Sequence, residues 1–349
     1  MRSTLSPRAL RHVRASSATR AFSSTARRLD TYGFIGLGQM GYQMARNLQS
    51  KLPPSDTVRL FDINRDAMRK LAAEMKAASP SQAGGAAVEL AESAEAASTD
   101  ADTVITVLPE PSHVKSVYAS IVSHLQSLPQ TQPSRLFIDC STIDPASSQE
   151  VAALVAAGTG GAAVAALVDA PMSGGVVGAA AGTLTFMLGS ADDGLAGRAE
   201  PTLLKMGRRV LRCGGQGTGL AAKLANNYLL AVANVAAAEA MNMGVRAGLD
   251  PAVLAGVLNA STGRCWPTEV NNPVPGVCPA SPAGRDYAGG FGLALMRKDL
   301  GLAISAAQAA GARLELAEKT REVYDGADAR EDCRGRDFSV VYRYLGGKE

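Results

Sequence analysis

Short runs of apolar, mostly β-branched or aromatic residues alternate with Ala-rich stretches between Thr31 and Leu211. Runs of this length predict β-strands, and the Ala-rich stretches are typical of helices. The alternation predicts an α/β fold with a mainly parallel, doubly wound sheet. The predicted strands are Thr31–Ile35, Val58–Phe61, Thr103–Val107, Arg135–Asp139, Leu167–Asp169, Leu184–Leu188 and Arg209–Leu211. The predicted helices include Met40–Gln49, Arg65–Ala78 and Ala146–Ala157.

The strand pattern ends near Gly219, and a helical pattern takes its place. One long helix is predicted from Leu220 to Ala247. Asp250-Pro251 then offers an N-cap followed by Pro at the first helical position, so a second helix is expected to run to Ala260. A Pro- and Gly-rich segment and a further helical pattern follow, over Pro267–Gly292 and Leu293–Tyr324. We expect an α/β domain over residues 30–213, joined by the long helix to an all-α domain over residues 214–345.

Charge is distributed unevenly along the 349 residues, which carry 35 Lys+Arg against 32 Asp+Glu. Seven arginines and no acidic residue lie within residues 1–29, together with many Ser, Thr and Ala. This composition predicts a mitochondrial transit peptide and a matrix protein; a basic tail that binds anionic surfaces is the alternative. The remainder has 28 basic and 32 acidic residues, so charge indicates no nucleic-acid partner.

Residue types suited to metal sites and disulfide frameworks are scarce. The chain has three His and five Cys, and no two Cys form a C-x-x-C pair. No metal site and no disulfide framework is therefore expected. The most apolar stretch, Leu220–Ala240, includes Lys223, Asn234 and Glu239, so we expect no membrane span. Two small, polar or Pro-rich stretches, Ser79–Gly85 and Ser127–Ser134, are predicted to be surface loops.

A glycine-rich loop follows the first predicted strand directly. It has the G-x-G-x-x-G pattern and leads into a predicted helix. Gly36 permits a tight turn, Gly38 leaves room for phosphates beside the backbone, and Gly41 lets the helix pack closely on the strand. Backbone N–H groups and the helix N-terminus then face a pyrophosphate. We therefore predict a Rossmann-type dinucleotide site formed by Gly36, Leu37, Gly38, Gln39, Met40 and Gly41.

Asp62 follows the second predicted strand, 21 residues beyond Gly41. A carboxylate at this place accepts hydrogen bonds from the adenosine ribose hydroxyls and repels a 2′-phosphate. NAD is therefore the predicted cofactor, in preference to NADP. Arg65 is a competing signal, because an arginine nearby can bind the 2′-phosphate.

Two further loops leave the carboxyl ends of predicted strands, the edge at which doubly wound sheets bind ligands. Leu108-Pro109 follows one strand, and Ser141-Thr142 follows another. Thr142 is expected either to contact the nicotinamide half of the cofactor or only to form the turn before the helix start at Asp144-Pro145. His113, just past Leu108-Pro109, is interpreted as a surface or helix-start residue, with a cofactor contact as the alternative.

The segment Asp169-Ala170-Pro171-Met172-Ser173-Gly174-Gly175 follows another predicted strand. Successive small residues expose backbone N–H groups beside a serine hydroxyl, an arrangement that suits a carboxylate or similar anion. Ser173, Gly174 and Gly175 are therefore candidates for binding an acidic substrate. An ordinary glycine turn is the alternative.

The long predicted helix carries Lys223, Asn226 and Asn227 at i, i+3 and i+4, so the three share a face. A cation and two amides among Ala, Leu and Val are costly to bury without partners. One interpretation makes Lys223 the acid/base for a substrate hydroxyl and Asn227 the residue that holds that oxygen. Such a base needs a pKa below the usual value of about 10.4 for lysine. A solvated helix face is the alternative.

In their order along the chain, these motifs resemble those of the β-hydroxyacid dehydrogenase family from about Tyr32 to Tyr344. The resemblance implies that Lys223 is catalytic, that Asn227 positions the substrate, and that Ser173, Gly174 and Gly175 bind its carboxylate. Relatives often have Asn at the position of His113. The cofactor contacts that the resemblance implies are Leu108, Pro109, His113, Thr142 and Lys298. Its further motifs are Ser141–Pro145, Gly219–Asn227, Gly263–Trp266, Asn272–Gly276 and Lys298–Leu300.

The resemblance implies NAD-dependent oxidation of (S)-3-hydroxyisobutyrate to 2-methyl-3-oxopropanoate, a step of valine breakdown. It also implies a homodimer or homotetramer with contacts from the helical domain. One alternative is a related reductase of tartronate, glyoxylate or succinate semialdehydes, often with NADPH. Another is a catalytically silent NAD-binding protein. A decarboxylating phosphogluconate-type dehydrogenase is expected to have His where this chain has Asn226.

Overall fold

The computed structural model describes residues 30–78, 85–128, 134–161 and 164–349. The transit peptide predicted for residues 1–29 and most of the two predicted surface loops, residues 79–84 and 129–133, lie outside the described residues. The described strands are β1 Thr31–Ile35, β2 Thr57–Phe61, β3 Ala87–Leu90, β4 Thr103–Thr106, β5 Arg135–Asp139, β6 Ala165–Asp169, β7 Met172–Ser173, β8 Leu184–Gly189 and β9 Gly207–Gly214.

The helices of the same ranges lie between the strands and after them. Those of the first part are α1 Gln39–Lys51, α2 Arg65–Ala77, α3 Ala94–Ser98, α4 Pro111–Gln126, α5 Pro145–Gly158, α6 Gly175–Ala181 and α7 Asp193–Met206. Those of the second part are α8 Thr218–Arg246, α9 Pro251–Ala260, α10 Trp266–Glu269, α11 Leu293–Ala309, α12 Ala317–Ala329 and α13 Val341–Tyr344. Two short 3₁₀ helices cover Pro282–Arg285 and Phe338–Val340.

All the strands belong to one sheet, in the order β3-β2-β1-β4-β5-β6-β8-β7, with β9 paired to β8. Strands β1 to β6 are parallel to one another, whereas β8 is antiparallel to β6 and β7. The predicted α/β fold with a mainly parallel, doubly wound sheet is therefore confirmed. The strand order reverses between β1 and β4, and sheets of this kind bind ligands at the carboxyl ends of the strands beside such a point.

Both faces of the sheet are covered, which is why its central strands are apolar throughout. Phe34 and Leu60 point to one face, where they pack with Met44 of α1. Tyr118 of α4 and Phe137 of β5 pack on the other face, edge to face with 5.5 Å between ring centroids. The rigid sheet thereby fixes the positions of the loops at its carboxyl edge.

Two strands were absent from the sequence prediction. Strand β3 is a mostly exposed edge strand, so the sequence Ala87–Leu90 carries no buried apolar run, and its pairing with β2 defines it. Strand β7 has only two residues. The predicted helical pattern from Leu293 to Tyr324 forms two helices, because the chain turns at Gly311, where φ is +70°.

Helix α8 belongs to both parts of the chain. Its first turn lies against the sheet, and Ala231 and Met241 lie in a second core formed by the helices that follow. It is long and apolar enough to cross a membrane by length and composition, a criterion that core helices of globular proteins also meet. Asn234 is buried within that second core and donates from Nδ2 to the hydroxyl of Tyr324 at 2.9 Å. The helix is therefore the structural link between sheet and helical part.

Candidate active site

The glycine loop between β1 and α1 has the compact shape that a phosphate-binding turn requires. Gly36 has φ of +97°, and a Cβ there would lie 2.2 Å from the carbonyl oxygen of Val107. A Cβ at Gly41 would lie 2.0 Å from the carbonyl oxygen of Gly36, so α1 packs on the turn at a distance that only glycine allows. Gly38, in contrast, is exposed and has open space where a side chain would be. This backbone cradle fits a dinucleotide pyrophosphate.

Asp62 lies beside this loop and is bonded to it. One carboxylate oxygen accepts from the backbone N–H of Leu37 at 2.5 Å, and the other accepts from that of Asn64 at 2.7 Å. A carboxylate has about four acceptor positions, so it can also accept hydrogen bonds from ribose hydroxyls. Arg65 donates to the carbonyl oxygens of Ala91 and Glu92 at 3.0 and 2.7 Å.

The loops after β4 and β5 are bonded to each other. The backbone N–H of Leu108 donates to the hydroxyl of Ser141 at 2.8 Å, and this hydroxyl donates to the carboxylate of Asp139 at 2.6 Å. Burial raises the pKa of Asp139, although its hydrogen bonds from Ser141 and Thr106 lower it. A buried acid at the end of β5 thus organises the predicted cofactor loops.

Lys298 connects these loops to the helical part. From α11, its ammonium donates to the backbone oxygens of Pro109 and Thr142, at 3.2 and 2.9 Å. Thr142 itself is half-buried, and Pro109 is exposed. Lys298 is therefore in contact with two of the other predicted cofactor residues, Pro109 and Thr142. His113 lies exposed in the first turn of α4, close to Pro109 along the chain.

Lys223 is buried in the second turn of α8, with 9% of its surface exposed. Its ammonium makes no hydrogen bond or ion pair within the described part of the chain. Burial lowers the pKa of Lys223; the charge of Asp299 opposes this shift and that of Lys298 adds to it. A buried amine with a lowered pKa and free donors is suited to exchange a proton with a ligand.

Asn227, one turn along α8 from Lys223, is 2% exposed. Its Nδ2 donates to Oδ2 of Asp299 at 2.7 Å, while its Oδ1 accepts from Asn226 at 3.0 Å. Asp299 in turn forms an ion pair with Lys298, at 3.5 Å. The amide of Asn227 has two N–H donors, and one is left for a ligand. Lys223 and Asn227 therefore share a buried face, while Asn226 is exposed.

The predicted carboxylate loop begins at strand β7. Ser173 is half-buried at the end of β7, where it pairs with Thr185 of β8. Gly174 and Gly175 are exposed and have φ of +133° and +61°, so the backbone turns here in a way that favours glycine. Within the described residues, no hydrogen bond joins this loop to Lys223 or Asn227.

Asp299 and Asp139 are site residues that sequence reasoning did not single out. Asp139 and Asp169 each end a predicted strand, and a carboxylate at the end of a buried strand is a usable signal. Asp299 directly follows Lys298, but its contact with Asn227 joins residues 72 positions apart. Within the described ranges, no group of three or more His, Cys, Asp or Glu side chains is placed to hold a metal ion.

The chain is similar to known dehydrogenases over most of its length. Residues 31–215 match a family model described as the NAD-binding domain of 6-phosphogluconate dehydrogenase. Residues 217–345 match a model described as the NAD-binding domain of NADP-dependent 3-hydroxyisobutyrate dehydrogenase. A Dictyostelium discoideum protein, named probable mitochondrial 3-hydroxyisobutyrate dehydrogenase, is 41% identical over 315 residues, which cover 90% of each chain. The chain belongs to the 3-hydroxyisobutyrate dehydrogenase family.

Human mitochondrial 3-hydroxyisobutyrate dehydrogenase is 40% identical over 319 residues, which cover 91% of this chain and 87% of the human protein. A solved structure of 3-hydroxyisobutyrate dehydrogenase from Mycobacterium tuberculosis with L-serine is 38% identical. It has a TM-score of 0.79 and covers 91% of this chain and 99% of its own. Like the other members of this family, the chain is a β-hydroxyacid dehydrogenase with an NAD(P)-binding domain.

Proposed function

We propose that the chain oxidises (S)-3-hydroxyisobutyrate to 2-methyl-3-oxopropanoate with NAD⁺, a step of valine breakdown. The observation that carries the proposal is the buried side chain of Lys223, whose amine makes no hydrogen bond or ion pair within the described residues and lies near the Asn227–Asp299 pair. The names of the relatives support the substrate. The Mycobacterium tuberculosis structure contains L-serine, which is also a small acid with a hydroxyl on its third carbon.

The substrate has two polar ends, and the proposal assigns each to a different element. Ser173, Gly174 and Gly175 bind the carboxylate through a hydroxyl and backbone N–H groups. The free N–H of Asn227 holds the hydroxyl oxygen, and neutral Lys223 takes the hydroxyl proton. Bound NAD⁺ would supply the acceptor for the hydride on the carbon that carries this hydroxyl. Fixing both ends of a small molecule supplies the orientation that the transfer requires.

The dinucleotide would be held by the glycine loop, with Asp62 at the adenosine ribose. The preference for NAD over NADP rests on two features of these residues. The carboxylate of Asp62 would repel a 2′-phosphate, and Arg65 is occupied by two backbone oxygens and lies over the ring of Phe61, 5.5 Å from its centroid. A 2′-phosphate would therefore meet the negative charge of Asp62 and a guanidinium that already donates to two backbone oxygens.

A spectrophotometric assay tests the proposal. NADH absorbance is followed after the chain is mixed with NAD⁺ or NADP⁺ and one of four acids: 3-hydroxyisobutyrate, L-serine, glycerate or 4-hydroxybutyrate. We expect the highest kcat/KM with 3-hydroxyisobutyrate and NAD⁺. Preference for glycerate or 4-hydroxybutyrate would assign the chain to the related semialdehyde reductases instead. Cofactor binding without reduction of either dinucleotide by any acid would indicate a silent NAD-binding protein.

We propose further that the chain acts in the mitochondrial matrix. The support is the Arg-rich, acid-free composition of residues 1–29 and the mitochondrial names of the relatives. Residues 1–29 fused to a fluorescent protein should direct it to mitochondria, and a full-length fusion that lacks them should stay in the cytosol. The opposite distribution would contradict the proposal.

A homodimer or homotetramer is also proposed, with a second copy covering part of the helical domain. Large apolar side chains are exposed on two consecutive helices: Leu229 and Met243 on α8, and Val253 and Val257 on α9. Contiguous exposed apolar residues often mark an interface between chains. Light scattering should give the mass of two or four chains, and the double change Val253→Glu with Val257→Glu should lower that mass. A monomer at micromolar concentration would contradict the proposal.

A further inference from the structure

The carboxylate of Asp169 ends strand β6 and caps a helix from a distant part of the chain. Its Oδ1 accepts from the backbone N–H of Gly217 at 2.6 Å, and its Oδ2 accepts from that of Leu220 at 2.9 Å. Helix α8 has no side-chain cap of its own, because its N-cap residue is Gly217. The first turn of α8 is therefore held to the sheet by one side chain.

The space around this contact is closed by glycines. A Cβ at Gly219 would lie 2.1 Å from the carbonyl oxygen of Met187 and 2.8 Å from Oδ2 of Asp169. A Cβ at Gly189 would lie 2.1 Å from Oδ1 of the same carboxylate. The carboxylate is thus enclosed, and the backbone at the start of α8 packs directly on the backbone of strand β8.

Asp169 is linked to both ends of the proposed substrate site. One link is its hydrogen bond to helix α8, and the other is its short distance along the chain from the carboxylate loop. Lys223 follows Leu220 by three residues, less than one helical turn from a hydrogen bond to Asp169. Ser173 follows Asp169 by four residues and is fixed by its pairing with Thr185. We infer that Asp169 is a positioning residue that sets the place of Lys223 relative to the carboxylate loop. This inference rests on the proposed function.

Burial of a carboxylate is energetically unfavourable, and this unfavourable burial of Asp169 supports a functional role. The pKa of Asp169 is raised to about 6, mainly by burial and also by the charge of Asp139, although the hydrogen bonds from Gly217 and Leu220 lower it. Besides Asp139 on β5, the titratable group that faces it in the described part of the chain is the thiol of Cys213 on β9. Protonation turns one of the two acceptor oxygens of Asp169 into an O–H donor, so one backbone N–H of α8 loses its acceptor. Acid therefore weakens the hold on α8.

Asp139→Asn is the matched control for Asp169→Asn. The two acids are register partners on β5 and β6, and both are buried. Asp139, however, accepts from Thr106 and Ser141 and supports the cofactor loops rather than α8. In each variant the amide keeps the size of the side chain but offers one acceptor in place of two.

The experiment measures steady-state kinetics of the full chain from pH 5 to 8, with 3-hydroxyisobutyrate and NAD⁺ both varied. We expect Asp169→Asn to lower kcat at least tenfold, to leave the KM for NAD⁺ within twofold, and to remove an acid limb of kcat with a midpoint near pH 6. Asp139→Asn should instead raise the KM for NAD⁺ and keep that limb, with its midpoint at lower pH because the charge of Asp139 raises the pKa of Asp169. A wild-type kcat in Asp169→Asn would overturn the inference.

Hydrogen exchange supplies a readout that does not depend on activity. In Asp169→Asn the amides of Gly217 and Leu220 should exchange at least tenfold faster, while those of the central turns of α8 keep their rates. Unchanged exchange at these two amides would overturn the inference, even if wild-type chain fails to oxidise any acid and the proposed function is wrong. Faster exchange throughout α8 would show general destabilisation and would also overturn it.

Discussion

Asn227 donates a hydrogen bond from Nδ2 to Oδ2 of Asp299 at 2.7 Å, and both side chains are almost fully buried. The bond joins helix α8 to helix α11, so it fixes the amide of Asn227 in one orientation. Since Asp299 also affects the charge state of Lys223, one carboxylate acts on both residues proposed to hold the substrate hydroxyl.

Removal of the charge on Asp299 should shift the pH dependence of oxidation. The carboxylate raises the pKa of Lys223, against the larger lowering by burial, so Asp299→Asn lowers that pKa further. Because oxidation requires neutral Lys223, the acid limb of kcat/KM should move to lower pH. We also expect kcat/KM at its optimum to fall about tenfold, or about 1.4 kcal/mol, as Asn227 loses a charged partner. An acid limb that moves to higher pH would contradict this account.

Lys223→Ala should abolish most of the activity without loss of cofactor binding. The amine is the proposed acid/base, and general acid–base catalysis typically contributes 10²–10⁴-fold. We therefore expect turnover to fall more than a hundredfold, with an NADH affinity, measured by fluorescence titration, within twofold of wild type. Lys319→Ala is the control, because Lys319 is exposed and forms an ion pair with Glu322 on α12. Near-normal turnover in Lys223→Ala would remove Lys223 from the mechanism.

Asp62→Ala should narrow the preference for NAD over NADP. The change removes the charge that opposes a 2′-phosphate and the acceptor for the ribose hydroxyls, so kcat/KM should fall with NAD⁺ and rise with NADP⁺. We expect the ratio of the two values to change at least tenfold. Asp66→Ala is a suitable control, because Asp66 lies on α2 nearby and forms an exposed ion pair with Arg69. An unchanged ratio would assign the preference to other residues.

Gly219→Ala should destabilise the contact between α8 and the sheet. The added carbon would lie 2.1 Å from the carbonyl oxygen of Met187, so the backbone has to move. Overpacking of this kind costs about 1–3 kcal/mol in the free energy of unfolding, measured by urea titration. Gly197→Ala on α7 is the control: its added carbon meets open space, so stability should rise by about 0.5–1 kcal/mol. Equal effects of the two changes would contradict the close packing.

Strands of the sheet could be predicted where they are buried, because buried strands appear in the sequence as apolar runs. The predicted bounds of β1 and β5 match those in the structure, since both strands carry buried apolar residues in the centre of the sheet. Strand β3 gave no such signal, because edge pairing rather than burial defines it. Likewise, Asp250-Pro251 marks the start of α9 through local capping alone, in which Asp250 accepts from two backbone N–H groups.

The site was predictable only where its members are neighbours on one element. Lys223 and Asn227 lie four residues apart on α8, so helical spacing already placed them together. Asp299 lies beside them because α11 packs on α8, and no local sequence pattern predicts that packing. The anchor from Asp169 to Leu220 likewise spans 51 residues and depends on backbone N–H groups, which every sequence has.

The closed fit among Asp169, Gly189 and Gly219 constrains how this chain can be recombined with its relatives. A crossover placed between the sheet and α8 separates the carboxylate and Gly189, inherited from one parent, from Gly219, inherited from the other. Chimeras that preserve all three residues should keep the position of α8 on the sheet. A larger residue from either parent at 189 or 219 would push α8 away from the sheet. A functional chimera should therefore take all three residues from the same parent.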